Sequence, residues 1–340
     1  MHIIHIDWLQ IFGKGSIILP AYCRSERREY GSKVFENIDT IFIQNLEYCT
    51  ILSAPRSSIL HPDTVIIKLE NSQLYKPNFI QFFIDFLNDC NIREMNITRL
   101  DICSDFNYFY NNLQPSKFIS GFLTNKYLKT KKSGYYIRGN QQQEHIIDTF
   151  KVGSPASNLS AYLYNKTQEM KDRTWKPWIS DSWLINGLDI ARQVYRLEVS
   201  IKNMKIVTSD KEKKEFKTIG LHDLLNFEYV KELYYRGIKT GFRFKHNNGT
   251  TNKSRMEDVI LFKQIEASEP ITFDNDKLTN SRHTKGVINF LEKLNNEIRQ
   301  LRQEDRTKFS YTAESIAELT DLQTWYDDRY KNNNEETTEN

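Results

Sequence analysis

Residues 194–201 have the sequence VYRLEVSI, and the alternation of apolar and charged side chains predicts a β-strand with two different faces. Tyr195, Leu197 and Val199 lie on one face of this predicted strand, whereas Arg196 and Glu198 lie on the other. The apolar face is suited to packing against helices. The charged face is a candidate location for a functional site.

Two further segments repeat this pattern, residues 97–103 (ITRLDIC) and 159–166 (LSAYLYNK). Each has aliphatic residues on one predicted face and polar residues on the other. The polar residues are Arg99, Asp101, Tyr162, Tyr164 and Lys166. If the three strands share a sheet, carboxylates, cations and tyrosines collect on one face. The alternative is a solvated sheet face with cross-strand ion pairs.

The surrounding pattern predicts the fold class. The pattern over residues 64–103 predicts a strand, a helix and a second strand. The helix, at 77–91, has apolar residues at helical spacing, and Pro77 is suited to its first turn. Sheet strands packed against a few helices predict an α+β fold.

The chain has 340 residues, a length typical of about two domains. The polar stretch at 209–217 (SDKEKKEFK) indicates a boundary, and the pattern beyond it is mainly helical, with an amphipathic helix at 287–301. We therefore expect a domain at 1–205, a mainly helical recognition or dimerisation region at 206–330, and a disordered tail at 331–340.

Composition excludes several classes of protein. No apolar run approaches the ~18 residues of a membrane-spanning helix, so no membrane partner is expected. The four cysteines form no C-x-x-C pair, which disfavours a zinc ribbon or a thioredoxin-like site. The net charge of +3 neither requires nor excludes nucleic acid as a partner. Reduced thiols in a cytoplasm are expected.

The charged face suggests phosphodiester chemistry. Asp101 and Glu198 would offer hard oxygen ligands to Mg²⁺ or Mn²⁺. A tyrosine beside them can act as a nucleophile once its deprotonation is assisted, and Lys166 lies where it could assist. Attack by tyrosine on a DNA phosphate forms a phosphotyrosine link and releases a 3′-hydroxyl.

A basic and aromatic stretch at 125–138 (NKYLKTKKSGYYIR) contains no acidic residue. Cations for phosphates and aromatic rings for bases are typical of single-stranded DNA binding. The alternative is a solvated hairpin that turns at Ser133 and Gly134. The predicted DNA contacts in this stretch are Lys126, Lys129, Lys131, Lys132, Tyr135, Tyr136 and Arg138.

The ordered set of short motifs resembles one known family. The motifs are Gly153-Ser154, Tyr164-Asn165-Lys166 followed by Glu169, and the flanking triplets Arg99-Leu100-Asp101 and Arg196-Leu197-Glu198. This order over roughly residues 1–202 resembles the rolling-circle replication initiators of the Rep_trans type, and the gene II replication proteins of filamentous phages are similar.

The resemblance implies a role for each matching residue. Tyr164 would be the nicking tyrosine, with Tyr162 as its rival on the same predicted face. Lys166 and Glu169 would support it, Asp101 and Glu198 would bind the metal, and Arg99 and Arg196 would join the DNA contacts. The family also implies an HUH-nuclease-like fold, an antiparallel sheet with helices on one face. The His-hydrophobic-His motif of HUH proteins is missing from this sequence.

The resulting hypothesis is a rolling-circle replication initiator, a metal-dependent tyrosine endonuclease that nicks and rejoins one strand at an origin. A conjugative or mobilisation relaxase would use the same chemistry, and a non-catalytic origin-binding protein would use the same surface. The expected partners are origin DNA, a host helicase and, in a homodimer, a second copy of the chain. The expected location is the cytoplasm of a bacterial cell that carries a plasmid, phage or integrative element.

Overall fold

The computed structural model describes residues 1–58, 60–131, 133–139, 147–154, 157–207 and 216–273. The strands are β1 His2–Lys14, β2 Cys23–Arg27, β3 Phe35–Ile43, β4 Leu46–Pro55, β5 Thr64–Leu69, β6 Arg93–Phe106, β7 Tyr127–Lys129, β8 Tyr135–Gly139, β9 Ile147–Val152, β10 Leu159–Asn165, β11 Tyr195–Ile201, β12 Lys205–Val207, β13 Phe216–Thr218 and β14 Phe244–His246. The helices are α1 Phe79–Asp89, α2 Pro115–Leu123, α3 Lys166–Asp172, α4 Pro177–Ile185, α5 Leu221–Leu224 and α6 Phe227–Gly241.

Ten of the described strands form one sheet in the order β2-β3-β4-β5-β1-β6-β11-β10-β9-β8. Every neighbouring pair in this sheet is antiparallel. The three strands with charged faces, β6, β11 and β10, are adjacent, as the sequence pattern requires if their polar residues are to share a face. The long β1–β6 pair lies at the centre of the sheet and is flanked by β5 and β11.

The apolar face of the sheet carries the main core and the longer helices. Leu100, Val199 and Leu163 from three adjacent strands belong to one buried cluster with Phe83 of α1 and Phe118 of α2. The predicted helix at 77–91 is thus confirmed as α1, and its apolar stripe faces the sheet. Helix α6 contacts β6, β10 and β11 on the same side.

Two glycines of α6 allow this helix to lie directly on the sheet. A Cβ at Gly237 would stand 2.6 Å from Cγ1 of Val199, and a Cβ at Gly241 would stand 2.3 Å from Cδ2 of Leu159. Both distances are far below van der Waals contact, so a larger residue at either position would require the side chain of Val199 or Leu159 to move. The segment after residue 206 therefore supplies a helix that covers the same sheet.

The opposite, charged face is covered at one end by α4. Pro177 occupies the first turn of α4, where its missing N–H costs nothing. Ile179 and Trp183 of this helix form a second, smaller cluster with Ile3 of β1 and Val194. The described residues contain no helix long and apolar enough to cross a membrane.

The predicted fold class, an α+β fold with an antiparallel sheet and its main helices on one face, is confirmed. The described residues belong to one compact unit, Met1–Asp274. The boundary expected at residue 206 stays a prediction. The predicted helix at 287–301 and the predicted tail at 331–340 lie outside the described residues.

Candidate active site on the charged face of the sheet

The strand register brings the predicted site residues together. Tyr162 lies directly opposite Glu198, and Tyr164 lies directly opposite Arg196 across the β10–β11 pair. Direct partners in an antiparallel pair project to the same side of the sheet. On β6, Asp101 lies opposite Ser200 of β11, one step along the same face from Glu198.

A β-bulge in β1 adds two side chains to this face. The register between β1 and β6 shifts between Ile6 and Trp8, so Asp7 is the extra residue. Bulges of this kind redirect side chains beside functional sites. Trp8 pairs with Asp101, and its ring lies between the cations of Lys68 and Arg99, at 3.9 and 4.2 Å from its centre.

Arg196 is the buried centre of a network of hydrogen bonds. Its Nε and Nη2 donate to the two oxygens of Asp105 at 2.6 and 2.7 Å, and its Nη1 donates to Oδ1 of Asp7 at 2.6 Å. Nη2 also donates to the Tyr75 hydroxyl at 2.8 Å, and Trp183 Nε1 donates to Asp105 at 2.7 Å. A buried charge must be paired in this way.

Because the Arg196 side chain is 0% exposed, its placement does not fit the predicted contact with DNA. The correction has a simple physical reason: all three guanidinium nitrogens are already occupied by groups of the protein. Arg99 is different, since its side chain is 34% exposed while it pairs with Asp101. Arg99 therefore remains available to a ligand that approaches the charged face.

The rings of Tyr164 and Tyr162 lie next to each other on this face and are tilted relative to one another. Their ring centroids are 4.6 Å apart at an interplanar angle of 32°. Tyr164 is buried, and burial raises the pKa of its hydroxyl well above the usual value, while the charge of Arg196 opposes this rise. Neither hydroxyl makes a hydrogen bond with the part of the chain that the structure describes.

Lys166 begins α3 and does not continue the strand, which corrects the prediction that residue 166 belongs to the strand. Asn165 is the N-cap of α3, and its side chain accepts a hydrogen bond from Gln168 N at 3.0 Å. The Lys166 ammonium nevertheless returns to the charged face and lies 5.6 Å from the centre of the Tyr164 ring.

The ion pair between Lys166 and Glu169 holds the lysine in place. Lys166 is buried, and its Nζ lies 2.8 Å from Oε2 of Glu169. Burial and then the charge of Arg196 lower the pKa of Lys166. The spacing of the Tyr-x-Lys-x-x-Glu motif thus has a structural basis, because residues i and i+3 share one side of a helix.

Asp101 and Glu198 differ in their surroundings. Both oxygens of Asp101 accept hydrogen bonds from Arg99. Glu198 accepts none from the described residues, and its pKa is raised well above the usual value by burial and by the charges of Asp101 and Asp7. A cation placed here would relieve this repulsion.

A divalent ion fits these residues only as a partly open site. The described residues contain no group of three or more His, Cys, Asp or Glu side chains that could hold a metal ion. Mg²⁺ commonly uses one or two carboxylates and completes its shell with water and substrate phosphate. Asp101 and Glu198 supply two carboxylates, but Arg99 donates to both oxygens of Asp101, so a divalent ion would have to displace Arg99 from at least one of them.

The predicted DNA-binding stretch at 125–138 divides between two sheets. Strand β7 pairs with β14 of the C-terminal segment, whereas β8 pairs with β9 at the edge of the large sheet. The hairpin considered as the alternative is therefore absent from the described residues. Lys126 and Lys131 are exposed, Lys129 binds the carbonyl and hydroxyl oxygens of Ser133, and Lys132 lies outside the described residues.

Sequence reasoning missed several members of the site, although signals existed for two of them. Asp105 lies on the same face as Arg99 and Asp101, one step beyond Cys103, but the predicted strand ends at residue 103. Asp7 follows His5 at the spacing of two that places both residues on one face of a strand. The bulge, Tyr75 and Trp183 have no local sequence signal, because they depend on which segments become neighbours.

No protein-family model matches the sequence, and no curated protein matches it. Among solved structures, the fold is similar to that of a rolling circle replication initiator protein from Geobacillus stearothermophilus. The two chains share 13% sequence identity, and the alignment covers 79% of this chain and 98% of the other with a TM-score of 0.49.

Proposed function

We propose that this protein is a rolling-circle replication initiator that nicks one DNA strand at an origin through Tyr164. One observation carries the proposal: a tyrosine, a buried lysine and two carboxylates from β6, β10, β11 and α3 converge on one face of the sheet. These are the groups that the motif resemblance assigns to the reaction. A structural sheet face has no need for a buried lysine beside a tyrosine hydroxyl that makes no hydrogen bond with the described residues.

The proposed reaction is a balanced transesterification. The Tyr164 oxygen attacks the scissile phosphorus and forms a tyrosine–phosphate bond, while the bond from phosphorus to the 3′-oxygen breaks. The phenol proton passes to water, and the departing 3′-oxygen takes up a proton to become a 3′-hydroxyl. Because one phosphodiester replaces another, the reverse reaction reseals the strand.

Each neighbouring group has a defined task in this scheme. Arg196 and Lys166 place positive charge beside the phenol and favour the phenolate. Asp101 and Glu198 would hold Mg²⁺ or Mn²⁺, which supplies Lewis-acid stabilisation of the phosphate oxygens when bound. The ring of Tyr162 contacts that of Tyr164, and Tyr162 is the competing nucleophile, since this residue is less buried than Tyr164.

The same proposal names the partners. Origin DNA is the substrate, a host helicase would unwind the duplex from the nick, and a second copy of the chain would form a dimer. A relaxase would share the chemistry and differ in the DNA that it recognises. A bacterial cytoplasm, in a cell that carries a plasmid, phage or integrative element, is the proposed location.

The test uses a supercoiled plasmid that carries the DNA flanking the protein's gene, with Mg²⁺ or Mn²⁺. Wild type, Tyr164→Phe, Tyr162→Phe and the exposed control Tyr110→Phe are compared for nicking and for covalent protein–DNA adduct. We expect both products to disappear only with Tyr164→Phe, since phenylalanine keeps the ring packing. Loss only with Tyr162→Phe would move the nucleophile to Tyr162. If folded wild type does not nick its origin, the protein is not a nicking enzyme, and the alternative of a non-catalytic origin-binding protein is favoured.

A further inference from the structure

A row of side chains crosses the sheet from its β8 edge to the candidate active site. Tyr136 of β8 lies directly opposite Lys151 of β9, and Lys151 lies directly opposite Tyr162 of β10. Tyr162 in turn lies opposite Glu198. Direct antiparallel partners project to the same side, so the row runs along the charged face.

A second row runs parallel to it. Arg138 lies opposite Thr149, which lies opposite Tyr164. The two rows together place two cations and two tyrosine rings between the sheet edge and the Tyr164 ring. From Tyr136 to Tyr162 the distance is two strand spacings, about 10 Å.

Three of these side chains reach solvent, whereas Thr149 between Arg138 and Tyr164 is buried. Tyr136 is 57% exposed, and Arg138 is exposed. Lys151 is half-buried and makes no ion pair or hydrogen bond with the described residues. Strand β8 (YYIRG) carries no acidic residue, so no carboxylate there would repel a phosphate.

We infer that the DNA strand reaches Tyr164 from the β8 edge, with bases stacked on Tyr136 and Tyr162 and phosphates held by Lys151 and Arg138. This inference rests on the proposed function and adds the direction of the strand and the residue Lys151. Alternating rings and cations are the pattern that holds single-stranded nucleic acid without reading its sequence. A duplex would hide its bases from the rings, so the strand is single.

Two neighbouring tyrosines of β8 provide a matched test. Tyr135 is 56% exposed, almost the same as Tyr136, but it projects to the opposite face and packs edge-on against Phe122 at 5.1 Å. Each is changed to alanine in the Tyr164→Phe background, where no chemistry occurs. Binding of a fluorescein-labelled oligothymidine is then measured by anisotropy.

We expect Tyr136→Ala to weaken binding about tenfold, the loss of one stacked base, and Tyr135→Ala to leave it unchanged. Equal losses from both variants, or a larger loss from Tyr135→Ala, would overturn the proposed path. Circular dichroism of both variants confirms that the edge strand remains folded.

Lys151→Ala tests the phosphate contact independently. We expect the slope of log Kd against log salt to fall by about 0.7, the value for one contact to a single strand. Lys117→Ala is the control, because Lys117 is exposed on α2, which packs on the other side of the sheet. An unchanged slope with Lys151→Ala would remove Lys151 from the path.

The inference and the proposed function fail in different ways. If wild type nicks its plasmid while the Tyr136 and Lys151 variants bind oligothymidine normally, the path is wrong and the function stands. If no adduct forms with wild type while these variants lose binding, the row binds DNA and the nicking function is wrong.

Discussion

Tyr164 and Arg196 are direct partners across β10 and β11, and the guanidinium of Arg196 is fixed by Asp7 and Asp105 at the same time. The candidate nucleophile therefore lies beside a positive charge whose position is fixed by two ion pairs. Burial raises the pKa of Tyr164, and the charge of Arg196 is the main influence that opposes this rise. The network that stabilises the fold and the electrostatics of the site depend on the same side chain.

The first prediction concerns Arg196→Gln. This change leaves Asp7 and Asp105 buried without their counter-charge, and breaking such a buried pair costs about 3–5 kcal/mol. We expect a free energy of unfolding lower by that amount in urea denaturation. Arg192→Gln is the matched control, since Arg192 is exposed, and a surface change there costs at most about 0.5 kcal/mol. Similar losses from both variants would contradict the central role of Arg196.

The second prediction is a loss of stability in acid that depends on Asp7. Burial would raise the pKa of Asp7, but Arg196, followed by Lys166 and Asn71, brings it down to about 2 from 3.8. A lowered folded-state pKa stabilises the fold above the unfolded value, and this contribution disappears as the pH falls through the folded value. The window is therefore pH 4 to 2, and the contribution is about 2 kcal/mol.

Denaturation of wild type and Asp7→Asn across this window checks the second prediction. Asp7→Asn should be less stable at neutral pH and should lose less stability between pH 4 and 2. Asp63→Asn is the control, because Asp63 is exposed at the surface. A wild-type and an Asp7→Asn curve that remain parallel to pH 2 would show that Asp7 is not held by Arg196.

The alternation of side chains was sufficient to predict the fold class and the charged face. In β6, β10 and β11, apolar and polar residues alternate with a period close to two. This alternation predicts the three strands and places Asp101, Tyr164 and Glu198 on their polar faces. Helix α1 was predictable because its apolar residues recur at helical spacing. These signals are local. An element that packs against the core on only one side keeps its apolar residues on that side, so its sequence shows the periodicity directly.

The remaining features depend on long-range contacts. Lys166 reads as a strand residue by alternation, yet Asn165 caps a helix and places Lys166 in its first turn. Arginine is a residue type that often contacts DNA. Only the pairing of β11 with β6 shows that Asp105 neutralises the charge of Arg196. The hydrogen bond from Trp183 to Asp105 depends on how α4 packs against the sheet, and no periodicity in the sequence predicts that packing.

The third prediction concerns α6 and the segment after residue 206. A methyl group at position 241 would meet Leu159 at 2.3 Å, so Gly241→Ala should cost about 1–3 kcal/mol by overpacking. Gly134→Ala has open space around its Cβ and serves as the control. Thermal unfolding of both variants checks this. A Gly241→Ala variant as stable as the control would contradict this prediction and would mean that the Leu159 side chain can move aside at little cost.

The fourth prediction separates stability from metal binding at Glu198. Burial and the charges of Asp101 and Asp7 raise the pKa of Glu198, which means that its carboxylate is unfavourable in the folded state. Because a raised folded-state pKa contributes stability that is lost as the pH rises, Glu198→Gln should melt at a higher temperature than wild type at neutral pH. The same change should abolish nicking.

Magnesium should reverse the order of the two proteins. A ligand that binds only the folded state at ten times its Kd stabilises it by about 1.4 kcal/mol, so wild type should melt higher as Mg²⁺ is added. Glu198→Gln should respond much less, and Glu47→Gln, an exposed change away from the site, should respond as wild type does. An equal response of all three proteins would place the metal elsewhere, while an unaltered melting temperature of Glu198→Gln without metal would show that the carboxylate repulsion is already relieved by Arg99 and Arg196.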